Sequence, residues 1–145
     1  MTKGYALITG ACSGIGLEIA RELARQGYPL LLVSNREAEL TAAAEELAAT
    51  HGVDAHAIPM DLARPDSARV LYDEVADLGL EVETLVSNAG IFFFGEVIHA
   101  DPARAETMML LHVVTPSLLA HHFGHDMAAR GAGHIVFVCR KGGPG

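Results

Sequence analysis

Cysteine is scarce in this chain: of 145 residues only Cys12 and Cys139 carry a thiol. A small disulfide scaffold is therefore excluded, and a reducing cytoplasm is the expected setting. Positive charge is scarce too. Lys and Arg number 10 against 18 Asp and Glu, for a formal charge of -8. Such a field repels phosphate backbones and anionic lipid, which argues against nucleic acid or a membrane surface as the partner. No apolar run is long enough for a spanning helix, and the first five residues lead into a strand-like segment without a charged and apolar leader. Apolar side chains, by contrast, are plentiful at 50% of the residues. A chain of this length buries roughly 70% of its unfolded surface, so it can form one ordinary domain without metal or disulfide.

The apolar residues alternate between two patterns. Tyr5 to Thr9 is a short apolar run ending in Gly10, after which residues 15–26 place Ile19, Ala20, Leu23 and Ala24 on one helical stripe, stopped by Gly27. Residues 29–33 (PLLLV) are continuously apolar, as expected of a parallel strand covered on both faces. Ser34-Asn35-Arg36-Glu37 has the spacing of a capping box, and Leu40, Ala43, Ala44 and Leu47 continue it as an amphipathic helix. The cycle repeats with strands at 54–59 and 83–87 around a helix at 66–78, then one long helix within 103–130 and a fifth strand at 134–139. Such alternation predicts an α/β fold: a parallel sheet with right-handed crossovers.

Thr9-Gly10-Ala11-Cys12-Ser13-Gly14-Ile15-Gly16 lies where the first strand hands over to the first helix. Its glycines permit a tight turn and close backbone approach to a pyrophosphate, which would face free N–H groups and the positive end of the helix dipole. Turns need glycine with or without a ligand, so the loop alone leaves both readings open. The other strand ends tip the balance. Asp61-Leu62 follows the third strand and Ser87-Asn88-Ala89-Gly90 the fourth, all on the edge where open parallel sheets bind ligands.

With these motifs the sequence resembles the short-chain dehydrogenase/reductase family. The glycine motif TGxxxGxG is matched by Thr9, Gly10, Gly14 and Gly16, the acidic residue after the third strand by Asp61, and the NAG motif by Asn88, Ala89 and Gly90. The resemblance implies a Rossmann-type doubly wound sheet in the order 3-2-1-4-5, with a nicotinamide dinucleotide across the strand ends. It implies that Gly10, Cys12, Ser13, Gly14, Ile15 and Gly16 hold the pyrophosphate. Asp61 and Leu62 would contact the adenine, and Asn88, Ala89 and Gly90 would support the ribose. Asp61 has a second reading as a cap for its loop, and Asn88 as a clamp between strands. An acidic residue recognising the ribose hydroxyls of NAD is expected about 20 residues after the glycines. Ser34-Asn35-Arg36 stands there instead, with Glu37 adjacent. Asn35 and Arg36 therefore belong to the expected site, and Arg36 favours the 2′-phosphate of NADP, with NAD still possible.

The catalytic residues implied by the family are missing. Four residues beyond Tyr5, Tyr28 and Tyr72 stand Thr9, Leu32 and Ala76, and the only lysines are Lys3 and Lys141, so no Tyr-x-x-x-Lys pair exists. Where the family shows a catalytic Ser after the fifth strand, the chain has Cys139-Arg140, and the family's Asn in the long helix corresponds to His112. His112 reads equally as a hydrogen-bonding substitute or as a packed core residue. His121 and His125 stand at i and i+4 on one helix face, which suits a polar patch better than a metal site, since no third ligand is evident. Cys12 and Cys139 are separated by one strand in the implied order, roughly 9 to 10 Å. That exceeds the ~7 Å a disulfide spans, so free thiols are expected. Ile91-Phe92-Phe93-Phe94 lines a substrate wall or packs beneath its loop.

Family members continue with a catalytic helix, two further strands and a substrate lid. The expectation is therefore a fold truncated after the fifth strand, with residues 1–139 as a dinucleotide-binding domain and 140–145 as a short disordered tail. Two functions fit. One is the cofactor-binding part of an NADP-dependent oxidoreductase, inactive alone and acting on a small carbonyl or alcohol only when completed. The other is a non-catalytic dinucleotide-binding or oligomerising module, with a homo-oligomer as one form.

Overall fold

The computed structural model describes residues 3–91, 93 and 95–139. Phe92, Phe94, Arg140 and the tail at 140–145 lie outside the described residues. Five parallel strands form one sheet: β1 (Tyr5–Thr9), β2 (Leu30–Ser34), β3 (Ala55–Pro59), β4 (Val82–Ser87) and β5 (His134–Phe137). Their order is β3-β2-β1-β4-β5, as expected. Ala6 pairs with Leu30 and Leu30 with Ala55, while Leu85 pairs with Ile135.

Alternation along each strand sends side chains to two cores. Leu7, Leu31 and Leu85 pack with Leu71 and Val75 of α3 (Ser67–Asp77) and with Leu119 and Phe123 of α5 (Thr115–Arg130). Ala6, Ile8, Leu30 and Leu32 pack on the opposite face with Ala20 and Ala24 of α1 (Gly14–Arg25) and with Leu40 and Leu47 of α2 (Glu37–His51). Every residue of β2 is buried, which is why its sequence shows no polar alternation. Each of its leucines contributes about 1.5 to 3 kcal/mol by burial. At the far edge, Ile135, Val136 and Phe137 of β5 are exposed.

Two local expectations are corrected. Ser34 is not the cap of α2: it completes β2, and Arg36 occupies the cap position without a side-chain cap. Ser34 Oγ instead accepts the Arg36 backbone N–H at 3.2 Å, because the strand ladder claims its backbone. Nor is the long helix uniform. It runs as α4 (Pro102–Met109), a π turn over Leu110–Val114, and then α5. Pro116 explains the break. It has no N–H for the carbonyl four residues back, and the Thr115 N–H reaches the Leu110 carbonyl, five residues back.

Candidate functional site

The carboxyl ends of β1, β2, β3 and β4 open onto one cleft of about 340 Å³. Its lining brings together Gly10, Cys12, Ser13 and Gly14 from the first loop, Asn35 and Arg36 from the second, Asp61 and Leu62 from the third, and Asn88, Ala89 and Gly90 from the fourth. Two residues of the expected set lie outside the lining. Ile15 is half-exposed, whereas Gly16 is buried inside the turn. A Cβ on Gly16 would lie 2.3 Å from the Gly10 carbonyl oxygen and 2.5 Å from Asn88 Nδ2, so this glycine serves close packing of loop on helix.

Gly10 and Gly14 have φ of 66° and 56°, the left-handed region that side chains disfavour, and above Gly14 the space is open. The loop thereby leads into the start of α1, whose first turn carries no acidic residue and whose cap residue Ser13 makes no side-chain cap bond. A clamp joins this loop to the end of β4: Thr9 Oγ1 accepts the backbone N–H groups of Asn88 and Ala89 at 2.9 and 3.0 Å, and Asn88 Nδ2 donates to the Gly10 carbonyl at 3.3 Å. The clamp reading of Asn88 is thus present in the structure. Its Oδ1 is buried and has no partner among the described residues.

Cys12 Sγ lies 3.2 Å from Ser34 Oγ, and both cysteines are free thiols. Asp61 Oδ1 accepts the Ala63 N–H at 2.9 Å and so caps its own loop, as its second reading anticipated. The Arg36 guanidinium pairs with Glu39 at 3.2 Å and not with the adjacent Glu37, since Glu39 stands three residues on along the same helical face. Both groups are mostly exposed, so the pair is weak and a dianion could displace it. Sequence reasoning missed Met60, Ala63, Thr107 and Leu111 in the lining. Nothing local marks them; the sheet and the π turn bring them there.

None of the tyrosines borders the cleft. Tyr5 donates to Asp54 at the opposite edge of the sheet, and that bond, more than burial, pushes its hydroxyl up to about 12. Tyr72 is raised as well, through its 2.7 Å bond to Asp126. Tyr28 lies under the Lys3 ammonium, 4.5 Å from the ring centre. A proton-transferring Tyr needs the opposite shift.

His112 is exposed, which corrects its reading as a core residue. It sits in the π turn with Nε2 2.9 Å from the Ile91 carbonyl oxygen, so Nε2 donates, and a Cβ on Gly90 would come within 2.4 Å of its ring. Beside it a second, largely apolar groove of about 630 Å³ runs between the π turn and β5, sharing Ala89 and Leu111 with the cleft. His121 packs edge-on against His122, and His125 pairs with Asp126 at 3.6 Å. Among the described residues no three potential metal ligands converge. Phe93 lies beneath the Arg104 guanidinium, 5.1 Å from the ring centre.

Comparison with known proteins agrees with this geometry. A family model described as short chain dehydrogenase matches residues 4–144. An uncharacterised oxidoreductase, YmfI, of Bacillus subtilis is 36% identical over 134 residues, covering 92% of this chain and 54% of its own. Galactitol 2-dehydrogenase (L-tagatose-forming) of Cereibacter sphaeroides is 36% identical over 131 residues, covering 90% and 50%. The chain spans about half the length of the curated relatives it matches. Among solved structures, a short-chain dehydrogenase from Sphingobium yanoikuyae in complex with NADPH superposes with a TM-score of 0.86 at 30% identity, over 93% of this chain and 52% of that one. A metagenomic short-chain oxidoreductase in complex with NADP gives 0.89 at 29%, over 99% and 64%. No helix among the described residues is long and apolar enough to cross a membrane.

Proposed function

This chain belongs to the short chain dehydrogenase family, and on that premise we propose that it is the cofactor-binding part of an oxidoreductase that prefers NADP to NAD. One observation carries the reading. The cleft combines two left-handed glycines, one just after β1 and one at the start of α1, with a guanidinium just after β2, where Ser34 and Asn35 offer no carboxylate to repel a 2′-phosphate. The orphaned Asn88 Oδ1 and the open space over Gly14 fit a bound dinucleotide. NADPH and NADP in two of the similar structures support it further.

The residues then divide the work. Backbone N–H groups of the first loop and of α1 take the pyrophosphate. Arg36 releases Glu39 and pairs with the 2′-phosphate, Asp61 and Leu62 face the adenine, and Asn88 to Gly90 hold the ribose. A bound nicotinamide supplies hydride transfer, and the apolar groove beyond Ala89 and Leu111 would receive the small carbonyl or alcohol. No Tyr-x-x-x-Lys pair occurs in these 145 residues, so the chain itself offers no such acid for an alkoxide. We place this function in the cytoplasm, where free thiols at Cys12 and Cys139 persist.

The exposed apolar edge of β5 favours a second reading, a dinucleotide-binding module that pairs with another chain, including a copy of itself. Calorimetry with NADPH and NADH tests the first reading. NADPH is expected to bind more tightly, and Arg36→Ala to cost on the order of 1 to 3 kcal/mol with NADPH and little with NADH. Equal losses would refute the NADP assignment. Sedimentation of the chain with and without cofactor tests the second.

A further inference from the structure

The segment that contains the π turn touches both walls of the cleft from behind. His112 donates to the Ile91 carbonyl, and three residues on Thr115 Oγ1 donates to the Leu62 carbonyl at 2.7 Å. Ser67 Oγ lies 3.1 Å from the same carbonyl and 3.2 Å from Thr115 Oγ1. Both hydroxyls are buried, at 2% exposure for Ser67 and 3% for Thr115. Buried polar groups are rarely left unpaired, and an apolar residue in either place would remove one of the two donors that hold this carbonyl. Yet Leu62 and Ile91 follow different strands, β3 and β4, and both line the cleft.

We propose that Thr115 and His112 are positioning residues that brace the two walls of the dinucleotide cleft, Thr115 with Ser67 holding the loop after β3 and His112 the loop after β4. The proposal rests on the dinucleotide reading above. Each arm acts on one end of the ligand. Thr115 fixes Leu62 beside Asp61, where the adenine is read, and His112 fixes Ile91 beside Gly90, at the other end. Gly90 completes the second arm, since any side chain there would collide with the imidazole.

Binding of NADPH and of adenosine 2′,5′-bisphosphate, which carries only the adenine end, separates the arms. Thr115→Val is expected to weaken both ligands by about tenfold, and Thr115→Ser, which keeps the hydroxyl, to restore both. His112→Ala is expected to weaken NADPH by about tenfold and leave the bisphosphate unchanged. Should Thr115→Val fail to fold, Ser67→Ala takes its place, with about a threefold loss expected for the bisphosphate. Folded variants that bind both ligands like the wild type overturn the brace, as does a His112→Ala loss shared equally by the two ligands. A wild-type chain that binds neither ligand overturns the cofactor reading itself, and the brace with it.

Discussion

Single residues in this protein separate cleft-lining from packing roles even within one motif. Gly14 has open space above it, whereas Gly16 abuts the Gly10 carbonyl and Asn88. Gly16→Ala should therefore destabilise the fold by about 2 kcal/mol or more, because a backbone oxygen cannot step aside. Gly14→Ala should cost only about 1 kcal/mol of backbone strain; urea midpoints of the two variants make the comparison. The Tyr5–Asp54 bond offers a test by pH. It holds the Asp54 carboxyl below its ordinary value, helped by His56, and Tyr5 above its own, at about 12. A depressed carboxylate pKa stabilises above the unfolded value of about 4 and loses that effect as pH falls. A raised phenol pKa stabilises below about 10 and loses that effect as pH rises through its folded value. Tyr5→Phe should thus cost under about 1 kcal/mol across the neutral range, with the difference from wild type shrinking at both extremes, since Asp54 is mostly exposed.

Among the elements, the helix broken by a π turn reaches the cleft with Thr107 and Leu111. Its break follows from Pro116, which has no N–H to offer the carbonyl four residues back. Supplying that donor by Pro116→Ala should let the turn relax toward regular α geometry and draw His112 away from Ile91. The expected readout is a weaker NADPH dissociation constant together with hydrogen-exchange protection at the new amide. Unchanged affinity with a protected amide would show that the π turn does not set the cleft.

At the scale of the whole molecule, none of the three tyrosines borders the cleft. A positioned acid typically contributes 10² to 10⁴-fold to a proton-transfer step. Here Tyr5 and Tyr72 are held protonated by carboxylates, and no lysine stands four residues beyond any tyrosine. The purified 145-residue chain, given NADPH and a panel of ketones and aldehydes, should show no steady NADPH oxidation. Oxidation that vanishes in Gly14→Asp would prove that this chain turns over substrate without a Tyr-Lys pair.

Much of this was legible in the sequence because it depends on neighbours along the chain. A run such as PLLLV, too short for a typical helix and without alternation, reads as a strand covered on both faces, and the glycines of the first loop announce a turn into a helix. The strand order was implied by the resemblance to the family, and right-handed crossovers agree with it. Pro116 was a legible signal too, though apolar periodicity on either side of it suggests one unbroken helix. What only the tertiary structure decided are the pairings between segments far apart: Thr9 with Asn88 and Ala89, Thr115 and Ser67 on Leu62, and His112 on Ile91. Even the choice of Glu39 over Glu37 for Arg36 depended on where α2 begins, one residue after Arg36 and not at Ser34. The physical reason is the same in each case. Local pattern fixes which backbone groups are already hydrogen-bonded, but a side chain finds its partner only after the packed sheet has set the distance between them.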